Sequence, residues 1–149
     1  LKLFTDVVST ERERTRDTLD IEPCSMDVLT AIYYARSLDY SQYEPQEKIP
    51  INAIIDNEIH DLYFRYLGKE ALKLKTGRTF NTIAFKPYLV QGTVFDGGED
   101  MTVWVSDDRN KIPLMVEAKI LVGSVKAVLR EIQGNRYPVD GEILEVSEK

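Results

Sequence analysis

The chain has 149 residues, 43% of them hydrophobic and 30% charged, which suits a globular protein with one sizeable core. Its net charge of −6, from 19 basic and 25 acidic residues, argues against nucleic-acid binding, because phosphate neutralisation needs basic clusters. No apolar run approaches the ~20 residues of a membrane-spanning helix, and a lone cysteine, Cys24, excludes an internal disulfide or a cysteine-based zinc site.

Leu1 to Val8 reads as a strand already under way. With neither Met nor a basic, apolar and small-residue leader pattern at its start, the sequence is expected to be the later part of a longer polypeptide. Ser9 to Asp17 alternates Glu and Arg, so it is expected as a solvated hairpin tip or exposed edge. Thr18 to Ile21 returns as a short strand.

One helix is predicted over Ser25 to Leu38. Ser25 suits the N-cap, Asp27 suits the positive end of the helix dipole, and Arg36 suits the other end. Val28, Leu29, Ile32, Tyr33 and Ala35 recur at helical spacing and predict one apolar face, buried against a sheet.

Strands follow. Lys48 to Ile55 alternates, Asp56-Asn57-Glu58 turns, and His60 to Leu67 returns. Lys69 to Lys75 and Thr79 to Lys86 flank a turn at Thr76-Gly77-Arg78, and Gly92 to Phe95 is a short strand before Asp96-Gly97-Gly98. Met101 to Ser106, Ile112 to Val122 and Ser124 to Ile132 make a three-stranded meander, turning at Asp107-Asp108-Arg109-Asn110 and at Gly123. About nine strands without βαβ alternation predict a mainly β fold. It is a strongly curved antiparallel meander or half-barrel with the helix packed on it. Residues 1–132 are read as one β-rich domain and residues 133–149 as a loop and a frayed or partner-dependent tail.

Three stretches carry a resemblance: MTVWVSDDRNKIPLMVEAKILVGSVKAVL, DVLTAIYYARSLD, and the segment from Arg65 through Glu70 to Phe85-Lys86-Pro87. Over residues 18–132 the sequence resembles a bacterial family, domain of unknown function 3108, common in Bacteroides-type organisms. The resemblance implies export to the periplasm or outer membrane, and a fold similar to the half-barrels of periplasmic lipoprotein carriers. Its motifs carry no known chemistry.

Candidate chemistry is sparse. Asp107 and Asp108 are a visible carboxylate pair for a cation or for acid–base work, but turn formation is the simpler explanation of them, and no calcium-loop pattern is present. His60 is the one histidine, with no nucleophile-elbow motif and no second or third metal ligand in sight, so it reads as an exposed strand residue. Cys24 reads as a small buried hydrophobe. Tyr33, Tyr34, Tyr40 and Tyr43, with Arg36, are candidates to line a ligand entrance or to cap the core. By alternation Trp104 shares a strand face with Thr102 and Ser106, and so joins the candidate ligand-binding residues if that face is outward.

These features predict a non-enzymatic cell-envelope protein without cofactor or metal. Its expected partner is a lipid or lipoprotein moiety held between the curved sheet and the helix. A structural or protein-interaction module is the alternative, and a glycan hydrolase using Asp107, Asp108 or His60 is a further one.

Overall fold

The computed structural model describes residues 1–8, 14–91, 97–120 and 122–143. Its elements in chain order begin with β1 (Lys2–Val8), β2 (Arg14–Asp20), β3 (Ser25–Asp27), α1 (Val28–Ser37) and a 3-10 turn (Tyr40–Gln42). They continue with β4 (Lys48–Ile55), β5 (Glu58–Lys73), β6 (Thr79–Pro87), β7 (Met101–Ser106), β8 (Pro113–Ile120), β9 (Gly123–Val128) and β10 (Glu142–Ile143). The protein is mainly β with one α-helix among the described residues. The chain divides into two compact units, Leu1–Ser37 with Pro50–Leu62, and Leu38–Ile49 with Tyr63–Lys149.

In the first unit β1 and β2 form an antiparallel ribbon from Lys2↔Asp20 to Val8↔Arg14. The charged stretch is thus itself strand from Arg14 onward, with Arg14 and Arg16 paired to Asp6 across the ribbon. Residues 9–13, where a solvated tip was expected, lie outside the described residues. β3 pairs with β4 in parallel, Ser25↔Asn52 to Asp27↔Ile54. This overturns the expectation of a wholly antiparallel protein without βαβ alternation. A three-residue strand is too short to show a period, and the twenty residues from Val28 to Glu47 are ample for a parallel crossover. Asp56 and Asn57, both at positive φ (50° and 63°), make the two-residue turn into β5, which suits the twist of flanking strands.

α1 begins two residues later than the cap expected at Ser25. The Asp27 carboxylate accepts the Thr30 N–H at 2.8 Å, so Asp27 is the cap and Ser25 belongs to β3. That bond holds the Asp27 carboxyl below the usual carboxylate range. The helix ends at Ser37, within the expected limit, and Asp39 caps the following 3-10 turn by accepting the Ser41 N–H at 3.1 Å. Cys24, at φ 70°, is exposed rather than buried, because the Glu22–Ser25 turn lifts it out of the strand.

The second unit is antiparallel. β5 pairs with β6, β6 with β7, β7 with β8 and β8 with β9. Where two strands were expected between His60 and Lys75, β5 is continuous over sixteen residues. Gly68, at φ 113°, sits at a register shift that sets Tyr66 against Phe85 and Gly68 against Ala84, leaving Leu67 as an extra residue. The glycine read as a break is therefore a bulge. A second shift between Trp104 and Val105 puts both Val105 and Ser106 in the interior, 1% and 0% exposed. The last strand of the meander stops at Val128 rather than Ile132, and the expected Gly92–Phe95 strand lies outside the described residues.

Among the described residues, two side-chain clusters stand out in this unit. Leu74, Phe80 and Leu114 are packed with Leu72, Ile112, Val128, Leu129, Ile132 and Val139. Tyr40 stacks on Phe85 (6.2 Å between centroids) and tilts against Tyr66 (5.3 Å), with Phe64 edge-on to Phe85. The tail also differs from the expected loop. Glu142 and Ile143 form β10, paired antiparallel with Phe80 and Thr79 of β6.

Candidate functional site

α1 has apolar residues on two faces, and only one is buried. Ala31 and Ala35 are 6% and 2% exposed, whereas Leu29 is 70% and Tyr33 66% exposed. Val28 and Ile32 lie beside them on the same exposed face, since positions i, i+1, i+4 and i+5 share one side of a helix. The stripe expected to bury thus faces out, and the small alanines, which allow close backbone approach, face in. The Arg36 guanidinium sits 5.4 Å from the Tyr33 ring centre, so a cation borders the apolar surface. Tyr34, 36% exposed, diverges from Tyr33, and its carbonyl accepts the Ser37 hydroxyl at 2.8 Å.

The other candidate residues sit elsewhere. Tyr40 is 3% exposed and belongs to the aromatic cluster of the second unit. Trp104, on β7, donates its indole N–H to Glu70 Oε1 at 2.6 Å. The structure therefore brings Tyr33 and Arg36 together and assigns Tyr40 and Trp104 to the other unit.

The two aspartates of the β7–β8 turn have separate partners. Asp107 pairs with Lys69 Nζ at 2.8 Å, which raises the lysine pKa. Asp108 Oδ1 accepts the Ser106 hydroxyl (2.9 Å) and the N–H groups of Asn110 (2.8 Å) and Lys111 (3.1 Å). Its Oδ2 accepts the Gly141 N–H at 3.3 Å. A carboxylate with four donors around it is a turn-builder, held in place by the bonds it accepts. His60 is paired with Glu58 at 3.8 Å in the first unit. Among the described residues, no three His, Cys, Asp or Glu side chains gather to hold a metal.

One cluster is only half marked in the sequence. Arg65 grips Glu99 from Nε (2.8 and 2.9 Å) and Nη2 (2.6 Å), and the Tyr63 hydroxyl donates to the same carboxylate at 2.6 Å. Lys48 Nζ lies 4.3 Å from the centre of the Tyr63 ring. Tyr63 and Arg65 share a strand face at i and i+2, which is readable, but Glu99 comes from 34 residues away. The Arg65 guanidinium foremost, then the Tyr63 hydroxyl, hold the Glu99 carboxyl down at about 2, and the same contact pushes the Tyr63 phenol up. All three groups are spent on one another, so the cluster fastens the segment before β7 onto β5.

A family model described as "Protein of unknown function (DUF3108)" matches residues 4–130. The chain belongs to the DUF3108 family. No curated protein and no solved structure matches it. The match covers both faces of α1, the Tyr63–Arg65–Glu99 cluster and the β7–β8 turn, and ends before the tail that meets that turn.

The cluster in this DUF3108 chain predicts a defined acid response. The Glu99 pKa is depressed on folding, so its stabilisation is full above the unfolded value near 4.5 and fades as pH falls toward 2. Glu99→Gln should lower stability at pH 7 by about 1–2 kcal/mol, moderated because the pair is partly open to water. Urea denaturation at pH 7, 4 and 2.5 should show the gap between wild type and variant beginning to close by pH 4 and closing mostly between pH 4 and 2.5. A gap that stays constant with pH would contradict the ion pair.

Proposed function

We propose that this protein is a non-enzymatic binding protein of the bacterial envelope that takes an apolar moiety, a lipid chain or the lipid of a lipoprotein, on the exposed face of α1. The observation that carries this is the outward disposition of Val28, Leu29, Ile32 and Tyr33 while alanines occupy the buried side. At 1.5–3 kcal/mol for a fully covered side chain, covering what these four leave exposed would contribute about 4–7 kcal/mol. That is comparable with the whole net stability of an ordinary domain, which is why a helix apolar on two sides is normally covered.

The chemistry bordering the face favours lipid over a second protein surface. Tyr33 and Tyr34 present an apolar body with a polar tip, and Arg36 supplies a cation suited to an anionic headgroup, the composition of a membrane-interface surface. The envelope location rests on the family resemblance, and the half-barrel analogy of the sequence reading points to the same class of ligand. The proposed contact is peripheral, made by the side of α1; no helix among the described residues is long and apolar enough to cross a membrane.

The test is a titration with a fluorescent anionic phospholipid. Leu29→Glu with Ile32→Glu should weaken binding at least ten-fold while leaving the melting temperature within a few degrees, because the side chains are already 70% and 47% exposed. Undiminished binding by the variant would remove the helix face from the proposal. A protein partner co-purifying with wild type but not with the variant, and without lipid, would replace this reading by that of an interaction module.

A further inference from the structure

The tail between Tyr137 and Ile143 is held as a peptide is held by a receptor. Asn110 Nδ2 donates to the carbonyls of Tyr137 and Pro138, both at 2.9 Å, while its Oδ1 accepts the Tyr137 N–H at 3.0 Å. The Arg109 guanidinium lies 4.2 Å from the centre of the Tyr137 ring. Val139 packs against the Leu74–Phe80–Leu114 cluster. The Gly141 carbonyl accepts the Asn81 N–H at 2.7 Å, and its N–H goes to Asp108. Glu142 then adds to the β6 ladder opposite Phe80 and forms a two-pronged pair with Arg78, at 2.7 and 2.8 Å. Main-chain bonds to a strand edge, with side chains at intervals seated in a cleft, is the general logic of strand addition.

The receiving side is built without the tail. Asp108 closes the turn through Ser106, Asn110 and Lys111, and the Ser106 hydroxyl accepts the Ile112 N–H at 2.8 Å. Asp107 N–H bonds the Asn81 carbonyl at 2.9 Å, joining the turn to β6. The chain between Val128 and Glu142 has no helix or strand, and the family match stops at residue 130. Gly141 sits closest: a Cβ there would meet Asn81 O, Asp107 N and Asp108 Oδ2, each at 3.4 Å.

We propose that the Asp107–Asn110 turn and the Thr79–Asn81 edge of β6 form a binding site for an extended peptide, and that residues 137–143 occupy it as an intramolecular ligand. The site reads an aromatic residue, a proline, an apolar residue, a glycine and an acid at the spacing Tyr137, Pro138, Val139, Gly141 and Glu142. It lies apart from the α1 face and does not rest on the lipid reading.

The experiment uses the full chain with the double tail substitution V139D/G141V, which alters only the ligand, and a labelled synthetic peptide of residues 135–143. Amide exchange should show protection lost at Asn81 and Tyr137 and retained through β7 and β8. The peptide should bind this variant at least ten-fold more tightly than wild type, whose own tail competes at high effective concentration. A peptide with alanine at the positions of Tyr137 and Glu142 should bind at least ten-fold more weakly. Three results overturn the proposal. One is loss of protection throughout β6–β8, which makes the tail part of the core. Another is tail protection that persists in the variant, and the third is no peptide binding to an edge that exchange shows to be open.

Discussion

Replacing Phe80 by alanine is expected to remove about 3–5 kcal/mol of stability, the range for deleting a large aromatic from a filled interior. Phe80 is 0% exposed and sits where three parts of the second unit meet. Leu74 and Leu114 pack around it, Arg78 lies 4.9 Å from its ring centre, and its backbone pairs with Leu72 on one side and Glu142 on the other. Neighbours drawn from β5 and the turn after it, from β8 and from the tail cannot collapse together into the space a ring leaves. Net stabilities of ordinary domains are only about 5–15 kcal/mol, so the variant should lose a large fraction of its resistance to urea. Leu29→Ala, on the exposed helix face, should change stability by no more than about 0.5 kcal/mol. Equal effects at the two positions would mean that Leu29 is covered and Phe80 is not the centre of its unit.

The second large effect is expected at Asp108. Asp108→Ala leaves the Ser106 hydroxyl and the N–H groups of Asn110, Lys111 and Gly141 without their acceptor, and Ser106 is wholly buried. Orphaned donors cost about 1–3 kcal/mol each where water cannot reach them, and partial access at the turn brings the expected total to about 2–4 kcal/mol. Asp108→Asn separates the two halves of the role. An amide carbonyl in the Oδ1 position keeps the turn, while the amide nitrogen would oppose the Gly141 N–H. Its stability loss should be about 1 kcal/mol, with faster exchange concentrated at Gly141 and in the tail. A loss as large as that of alanine, spread over β7 and β8, would show that charge rather than acceptor geometry holds the turn.

Most of the β fold was legible in the sequence because period-2 alternation and turn residues are local signals. Met101 to Ser106 and the Asp56-Asn57 turn were read within a residue or two. What escaped depends on partners distant along the chain. Three residues of β3 carry no period, so their parallel pairing with β4 was invisible. Gly68 reads as a break until the neighbouring strand shows that the ladder resumes beyond it. The tail looked polar and proline-containing, yet its partners are the Asn110 side chain and the β6 edge, neither of which its own composition reveals. Periodicity located an apolar face on α1 but could not say which of two faces was buried. Val28, Leu29, Ile32 and Tyr33 have the size of core residues, and the close-packed side went to Ala31 and Ala35. The candidate site is legible in the same partial way. Helical spacing marks Tyr33 and Arg36, which lie together, whereas Glu99, held by Arg65 and Tyr63, has no local mark.

The claim that the exposed α1 face takes an apolar envelope ligand is tested most directly by native mass spectrometry of the protein purified from its own envelope in mild detergent, beside Leu29→Glu/Ile32→Glu. Wild type should carry extra mass that resolves into lipid or a lipid-modified polypeptide, and the variant should fly as the bare chain. Bare wild-type protein, or a ligand retained equally by the variant, would contradict it.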